Sequence, residues 1–443
     1  MLLTPASRLA TVGSMPTAIS ELRHHALRAF EAAVDAVQPD NLLPQALEEI
    51  SLDVPPGGRL IVAALGKAAP GLAASWRTHR PLVEDHLVVL TPHRTPIPPG
   101  LSDDVEILFG AHPLPDRAGE HAAGRLHQLA TDLGPDDRLL VLLSGGASAL
   151  LALPAPDLTL EELNLATNAM LQAGASISEL NIVRRELLVL GGGGLLLAAW
   201  PAIVTTLVLS DVPGDPLHDI ASGPTVASPT GTNEALAVLD RFELLEQIPS
   251  TVQRVLVRGR SLQANDAHRF APSRTLLMGS NRTAVDAAAS YLKIQRLRPR
   301  TESDPLIGEA SERGRQLARL GRSLDPTGPG AVVFGGETTV TVRGEGVGGR
   351  NSELCLAAAL ELEGAGPCVV LSAGTDGIDG ISGAAGGIVD PQTTNRIRSA
   401  GMNPTALLKV NDSATALSAS GDTVITGPTG TNVSDVMLVI AGG

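Results

Sequence analysis

Short apolar runs alternate with stretches of helical periodicity along most of this chain. In the first half the runs occupy residues 59–66, 86–90, 105–110, 138–146 and 202–211. Uninterrupted apolar runs of this length, separated by helices, are typical of a parallel sheet covered by helices on both faces. The sequence therefore predicts an α/β fold with a mainly parallel, Rossmann-like sheet in this part of the chain.

A second series of apolar runs follows a polar stretch at 259–273, which is typical of a linker. At 443 residues the chain is long enough for two or three domains. We therefore predict two α/β domains, an N-terminal one over 16–260 and a smaller, mixed α/β one over 261–443, with a cleft between them. The residues before 16 are expected to form a loose tail.

Charge and composition exclude several classes of function. Lys and Arg number 33 against 47 Asp and Glu, a net charge of −14. Such an acidic chain is a poor candidate for binding nucleic acid or an anionic membrane. No apolar stretch reaches the ~18 residues of a membrane span, and two cysteines cannot form a disulfide scaffold. We expect a cytoplasmic protein with no nucleic-acid or membrane partner.

Glycine-rich and charged loops follow the predicted strands, where open α/β sheets bind their ligands. The loop Ser144-Gly145-Gly146-Ala147-Ser148 can present backbone N–H groups to an anion, although a plain tight turn is the alternative. Lys67 lies at the start of a predicted helix, where the helix dipole disfavours a cation unless an anion is bound nearby. An exposed surface lysine is the alternative there.

Three further loops supply carboxylates. Asp211 and Asp376 lie on short acidic loops after strands, and Glu337 follows a glycine pair. Mg²⁺ takes one or two protein carboxylates and shares its remaining ligands with phosphates and water. For any single aspartate, a role in a turn or a helix cap is the alternative.

Two other chemistries have weaker support. Gly344, Gly346 and Gly349 form a GxGxxG pattern, but no βαβ unit precedes it and no acidic residue follows about 20 positions on. The next helix opens instead with Arg350, which can form two hydrogen bonds to a phosphate or carboxylate. A serine nucleophile at position 144 or 148 would lack the GxSxG pattern of serine hydrolases.

The strand-end motifs, taken in order, resemble those of the class II glycerate 2-kinase family, whose carboxyl-terminal half is the MOFRL domain. The motifs are LGKAA (65–69), HPLPD (112–116), LLSGGASALL (142–151), LNIVR (180–184), LSDVPGD (209–215), IASGPT (220–225), GGETTVTVRGEGVGGRN (335–351), AGTDGIDG (373–380) and TGPTGTNVSD (426–435). The resemblance implies transfer of the ATP γ-phosphoryl group to the 2-hydroxyl of D-glycerate, with Mg²⁺, giving 2-phospho-D-glycerate and ADP. It also admits a homodimer.

The resemblance implies site residues of three kinds. The catalytic residues would be Lys67, Arg350, Asp211 and Asp376, and the metal ligands Asp211, Glu337 and Asp376. The substrate or nucleotide would contact Ser144, Gly145, Gly146, Ala147, Ser148, Asn181, Arg184, Gly223, Gly335, Gly336, Asn351, Thr431 and Asn432. Two alternatives stay open: an NAD(P)-dependent hydroxypyruvate reductase, and a non-catalytic nucleotide- or hydroxyacid-binding relative.

The chain departs from the family pattern at one place. After Val183-Arg184 the family usually has K-H-L-S-x-x-K-G-G, and here Glu186, Leu188 and Gly191 replace the histidine, the serine and the second lysine. A cation of the family site is therefore absent. Either Lys67, Arg184 and Arg350 suffice, or the activity or the choice of substrate has changed.

Overall fold

The first sheet is built from six parallel strands. The computed structural model describes residues 18–80, 86–101, 104–259, 266–324 and 330–442. The strands are β1 Leu60–Leu65, β2 His86–Pro92, β3 Glu106–Gly110, β4 Arg138–Ser144, β5 Ile203–Leu209 and β6 Arg274–Gly279. Their order is β3-β2-β1-β4-β5-β6, and every neighbouring pair is parallel. The predicted Rossmann-like sheet is confirmed.

Helices cover both faces of this sheet, as the uniformly apolar strands require. The helices that precede β6 in the chain are α1 Ala18–Ala36, α2 Pro39–Glu48, α3 Ala69–His79, α4 Arg117–Thr131, α5 Ala147–Leu150, α6 Leu160–Gln172, α7 Ile177–Leu187, α8 Gly194–Ala199, α9 Thr232–Arg241, α10 Ser250–Arg258 and α11 Ala267–Phe270. Of these, α6, α7, α9 and α10 pack together in an apolar cluster of their own. Helices α6 and α7 begin with capping boxes, from Thr159 and Glu162 and from Ser176 and Glu179. These reciprocal hydrogen bonds satisfy N–H groups that the first turn leaves without partners.

The second sheet is mixed, as predicted for the C-terminal part. Its strands are β7 Arg298–Thr301, β8 Leu306–Glu309, β9 Gly330–Thr339, β10 Cys368–Gly374, β11 Gly386–Val389, β12 Thr423–Val424 and β13 Asp435–Ala441. The order is β12-β11-β10-β13-β9-β7, with β8 also pairing with β9. The helices are α12 Asn281–Ile294, α13 Ala310–Ser323, α14 Arg350–Leu362, α15 Thr393–Ser399, α16 Pro404–Lys409 and α17 Ser413–Ser420.

One apolar core joins the two sheets. Its buried residues come from α1, α2 and α12, from one face of the first sheet, and from β10 and β13 of the second. Helices α1 and α12 pack against each other, and α1 also contacts β10 and β13. The two halves of the chain therefore share apolar packing as well as a cleft.

Two elements lie across the expected division near residue 260. Strand β6, which we expected to begin the second domain, is hydrogen-bonded to β5 as the sixth strand of the first sheet. The polar stretch at 259–273 is thus part of the crossover from β5 to β6, and its residues 260–265, like the expected tail before 16, lie outside the described residues. Helix α1 packs on the second sheet, because Arg23 forms ion pairs with the buried Asp390 and Asp422. The division at 260 remains a proposal.

Helices of the described ranges are too short or too polar to cross a lipid bilayer. Cys355 and Cys368 are both free and buried. The predicted absence of a disulfide scaffold is consistent with this arrangement.

Candidate functional site

The candidate site lies where the strand order of the first sheet reverses. From β1 the chain proceeds outward through β2 and β3, then returns to β4 on the other side of β1. The loops after β1 and β4 consequently diverge and leave a crevice, which is where open α/β sheets bind ligands. The Lys67 N–H donates to the Gly145 carbonyl oxygen at 2.9 Å, so these two loops are bonded to each other.

The Ser144 side chain holds the loops together and does not face a ligand. Its hydroxyl donates to the Leu65 carbonyl at 3.0 Å and accepts from the Ala68 N–H at 3.1 Å. Ser144 is fully buried. The binding role predicted for this side chain is therefore taken up by a contact within the protein.

Gly145 and Gly146 are shaped for a close neighbour. A Cβ atom at position 145 would overlap the carboxylate of Asp211, and Gly146 has a φ of 81°, which favours glycine. Among the described residues, no protein group accepts a hydrogen bond from the N–H of either glycine. Two unsatisfied N–H groups in succession are suited to an anion or to a carboxylate oxygen.

Asp211 follows β5 and connects the first sheet to the second. Its Oδ2 accepts a hydrogen bond from Asn432 Nδ2 at 3.0 Å, and its carbonyl accepts from Ser434 Oγ at 2.8 Å. Burial raises the pKa of Asp211 to about 6; Lys67 opposes this rise, and the charge of Glu337 adds to it. A carboxyl with this pKa can exchange a proton near neutral pH.

Lys67 lies between carboxylates. Its Nζ is 3.8 Å from Asp376 Oδ2, and about a third of the Lys67 side chain is exposed. Asp376 Oδ1 accepts a hydrogen bond from the Ile378 N–H at 3.0 Å. Burial raises the pKa of Asp376, and Lys67 lowers it. The ammonium group is therefore available to a ligand without leaving a close ion pair.

Arg350, the first residue of α14, is anchored by two carboxylates. It donates from Nε and, at 2.9 Å, from Nη2 to the fully buried Asp435, while its Nη1 lies 2.8 Å from Glu337. Burial lowers the pKa of Arg350, but Asp435 and Glu337 outweigh this and raise the pKa well above its usual range. The guanidinium is a fixed positive charge with N–H groups remaining. Asp435 was missed by the sequence analysis, although an aspartate opening a buried strand could have indicated it.

Three nitrogen-bearing side chains lie on the other side of Gly146. A Cβ at position 146 would lie 3.1 Å from Lys67 Cγ and 3.3 Å from His112 Cδ2. Burial, together with the charges of Lys67 and Arg184, lowers the pKa of His112 to about 4. Within the described ranges Arg184 has no hydrogen-bond or ion-pair partner, and burial lowers its pKa. An unpaired, half-buried guanidinium beside a neutral imidazole favours an anionic ligand.

A hydroxyl and amide network supports this side of the site. Ser222 Oγ lies 3.2 Å from Ser148 Oγ and 3.3 Å from Asn181 Oδ1, and Asn181 Nδ2 donates to the Asp219 carbonyl at 3.2 Å. Ser222 and the next residue, Gly223, have φ values of 60° and 61°. A serine in this left-handed region is strained, and such strain is concentrated at functional sites.

The remaining predicted residues have mostly structural surroundings. Thr431 Oγ1 donates to the Val37 carbonyl at 2.6 Å, and the fully buried Asn351 accepts from Ser372 Oγ at 2.5 Å. Gly335 and Gly336 pack against Asn281 and Leu306, with no space for a Cβ. Ala147 is fully buried in α5. These contacts shape the cleft. The Thr431 hydroxyl and Asn351 Oδ1 are engaged, whereas the buried Asn351 Nδ2 has no hydrogen-bond partner among the described residues.

The carboxylates do not form a prepared metal cage. Searching the described residues finds no cluster of three or more histidine, cysteine or acidic side chains that could hold a metal ion. Glu337 is engaged with Arg350, which leaves Asp211 and Asp376 of the predicted ligands. Two carboxylates fit Mg²⁺ that arrives with the phosphates of a nucleotide.

The GxGxxG loop serves protein packing. A Cβ at position 344 would lie 2.6 Å from the Val410 carbonyl oxygen, and one at position 349 would overlap Asp379. Asp379 accepts hydrogen bonds at 2.9 Å from the N–H groups of Asn351 and Ser352, at the start of α14. In a dinucleotide-binding fold this helix end would face the pyrophosphate. Here a protein carboxylate occupies it.

Comparison with known proteins agrees with this arrangement. Residues 25–257 match a domain of unknown function, DUF4147, and residues 330–435 match the MOFRL family. A D-glycerate 2-kinase of Thermotoga maritima is 38% identical, over 94% of this chain and 98% of its own. A crystal structure of glycerate kinase from the same organism aligns with a TM-score of 0.83 and 36% identity, over 95% of this chain and 99% of that one.

The chain belongs to the MOFRL-domain glycerate kinase family. One similar protein carries another name: a putative hydroxypyruvate reductase of Agrobacterium vitis is 39% identical, over 94% of this chain and 93% of its own. Human glycerate kinase is 36% identical, over 94% and 93% respectively. The glycerate kinase family thus spans the whole described fold, both sheets and the crevice between them.

The departures from the family pattern are accommodated locally. Arg185 Nη1 lies 2.7 Å from Asp219 Oδ1, and Glu186 Oε2 accepts from Thr232 Oγ1 at 3.2 Å. Beside Gly191, Gly192 and Gly193 donate their N–H groups to the carbonyls of the strained Ser222-Gly223 turn, at 2.8 and 2.7 Å. The glycine run therefore holds the turn that supports Ser148.

Proposed function

We propose that this protein is a glycerate 2-kinase that transfers the γ-phosphoryl group of ATP to the 2-hydroxyl of D-glycerate. The observation that carries the proposal is the position of Asp211. Its carboxylate lies against Gly145, close to the charges of Lys67, Glu337 and Asp376. A hydroxyacid and a metal-bound triphosphate can approach this carboxylate from opposite sides.

The side of the site that contains Arg184, His112 and Gly146 is suited to glycerate. Arg184 can pair with the glycerate carboxylate, and the N–H groups of Gly145 and Gly146 can donate to its oxygens. Neutral His112 can hydrogen-bond a hydroxyl, since its pKa of about 4 leaves it uncharged at neutral pH. Ser148 and Asn181 keep this side in place through Ser222.

The side of the site that contains Asp211 and Asp376 is suited to Mg²⁺ and the nucleotide. Asp376 would hold Mg²⁺ together with the phosphates, which leaves Asp211 available to accept a proton. Mg²⁺ supplies charge neutralisation of the phosphates when bound. Lys67 can move from Asp376 onto the transferred phosphoryl group, while Arg350 stays on Asp435 as a fixed positive charge.

In the reaction, the 2-hydroxyl oxygen of glycerate forms a bond to the γ-phosphorus. The bond from that phosphorus to the β,γ-bridging oxygen breaks, and ADP leaves. Asp211 accepts the hydroxyl proton, because its raised pKa lies closer to neutrality than that of an ordinary aspartate. Because ATP is the donor, we expect the reaction to take place in the cytoplasm; a homodimer also remains an expectation.

The hydroxypyruvate reductase alternative has less support. Relatives carry that name, but the helix end that would face a dinucleotide is capped by Asp379.

A purified sample should form ADP in the presence of MgATP only when D-glycerate is added. The same sample should not oxidise NADH or NADPH with hydroxypyruvate. Oxidation of either, without ADP formation, would replace the kinase proposal with the reductase.

A further inference from the structure

A pocket lined in part by Asp211 contains none of the residues proposed to bind glycerate, which are His112, Gly145, Gly146 and Arg184. It has a volume of about 310 Å³ and is bounded by the loop after β5, the start of α12, the β7–β8 connection and the Gly335–Gly336 backbone. Ligand pockets for small molecules begin at about 300 Å³. We propose that this pocket receives the nucleoside end of the phosphoryl donor. The inference rests on the proposed kinase function.

The lining of the pocket is suited to a base and a sugar. Its described lining residues include one cation, Arg282, which is already paired with Asp286. Pro213, Val285 and Pro305 provide apolar surfaces against which a base can pack. Asp215 and Asp304 line the same pocket, and within the described ranges neither carboxylate has an ion-pair or hydrogen-bond partner. Carboxylates accept hydrogen bonds from ribose hydroxyls but repel phosphate and glycerate.

The position of the pocket fixes the direction of the donor. Asp211 and Ser434 are among its lining residues, and the positive charges of Lys67 and Arg350 act on the neighbouring Asp211 and Asp376. A nucleotide seated here would therefore direct its phosphates inward to Asp211 and its nucleoside outward to the β7–β8 connection. Glycerate would then approach from the side of Gly146 and Arg184, so that donor and acceptor meet without crossing.

The aliphatic lining has a consequence for affinity. The described lining residues of the pocket include no aromatic side chain, so the base lacks a stacking partner. Packing against proline and valine surfaces discriminates less between different bases than stacking on an aromatic ring does. We therefore expect the nucleoside to contribute to binding mainly through its ribose and through burial.

A substitution that fills the pocket tests the proposal. Ser303 is exposed on the β7–β8 connection and lines the pocket, so Ser303→Trp should obstruct the nucleoside without altering Asp211 or Lys67. We expect the KM for ATP to rise at least tenfold while the KM for D-glycerate changes less than twofold. Ser399→Trp, at an exposed position at the end of α15, is the matched control and should leave both KM values unchanged.

Calorimetric titration with MgADP gives a readout independent of turnover. Binding to the unsubstituted protein and to Ser399→Trp should be equal, and binding to Ser303→Trp at least tenfold weaker. Equal MgADP affinity in all three proteins would overturn the pocket assignment, even if glycerate kinase activity is present. MgADP binding that Ser303→Trp weakens, in a protein that does not phosphorylate glycerate, would support the pocket and remove the proposed function.

Discussion

At the residue scale, the account depends on a few charged groups with unequal partners. Asp211 is the carboxylate with the raised pKa, Lys67 has a loose partner in Asp376, and Arg350 is tied to Asp435 and Glu337. A mobile cation and a fixed cation beside a proton acceptor are the parts that phosphoryl transfer requires, since its catalysis is mainly positioning and charge neutralisation.

Removal of Lys67 should affect turnover far more than folding. Lys67→Ala takes away the cation that can follow the transferred phosphoryl group, and we expect kcat to fall about 10²–10³-fold. The thermal unfolding midpoint should change little, because the lysine is partly exposed and its ion pair with Asp376, at 3.8 Å, is loose. Steady-state kinetics and thermal denaturation measure the two effects. Normal turnover would remove Lys67 from the site.

The pKa of Asp211 predicts the acid limb of the pH profile. A base must be deprotonated to accept the proton. The logarithm of kcat/KM should therefore rise by one per pH unit up to about pH 6 and then level off. Because Lys67 lowers the pKa of Asp211, the acid limb of the profile should lie at higher pH in Lys67→Ala than in the unsubstituted protein. A profile of kcat/KM that is flat from pH 5 to pH 7 would contradict the assigned role.

At the element scale, backbone geometry decides which glycines can be replaced. Gly193 has a φ of 87°, and a Cβ there would lie 2.6 Å from Phe270 Cζ. Gly191 is outside the left-handed region, and its nearest contact would be 3.3 Å. Gly193→Ala should therefore destabilise the protein by about 1–3 kcal/mol and Gly191→Ala by less than about 1 kcal/mol. Urea denaturation measures the loss of stability in each variant. Equal losses would show that the left-handed conformation at position 193 tolerates a side chain.

The elements were predictable to different degrees. The apolar strands of the first sheet and α14 followed from periodicity, because long uniform patterns leave few alternatives. Strand β6 was assigned to the wrong sheet, since an apolar run does not specify which edge it joins. The short strands β7 and β8 carry too few apolar residues to stand out, and their position is set by pairing with β9.

The positions of the loops that form the site could be predicted from the sequence, but the contacts of their side chains could not. Glycine pairs and acids after strands indicated where ligands bind. The engagement of Ser144 with Leu65 and of Thr431 with Val37 depends on residues 79 and 394 positions away in the chain, which no local pattern reveals. Likewise, the pairing of Asp435 with Arg350 and the contact of Ser222 with Ser148 join residues 85 and 74 positions apart.

At the scale of the whole molecule, the first helix connects the two sheets. Arg23 reaches from α1 to Asp390 and Asp422, both only 1% exposed, and Arg396 pairs with the same two carboxylates. The shared apolar core lies beneath this contact. We therefore expect the two halves to unfold as one cooperative unit.

The ion-pair contribution can be measured against a matched exposed pair. Arg23→Ala should lower the free energy of unfolding by about 1–3 kcal/mol, less than for a fully buried pair because Arg396 still neutralises both aspartates. Arg28→Ala breaks the Arg28–Glu31 pair on the same helix, in which both side chains are 55% exposed, and should cost under about 1 kcal/mol. Equal costs in urea denaturation would show that Arg23 does not fasten α1 to the second sheet.

The central claim is phosphorylation of D-glycerate at its 2-hydroxyl. Phosphorus-31 NMR of the purified protein with MgATP and D-glycerate identifies the phosphorylated position directly. The account predicts signals of 2-phosphoglycerate and ADP growing together, which would also show that a glycine at position 191 is compatible with activity. ADP accompanied by 3-phosphoglycerate, or no phosphorylated product from a folded protein, would contradict it.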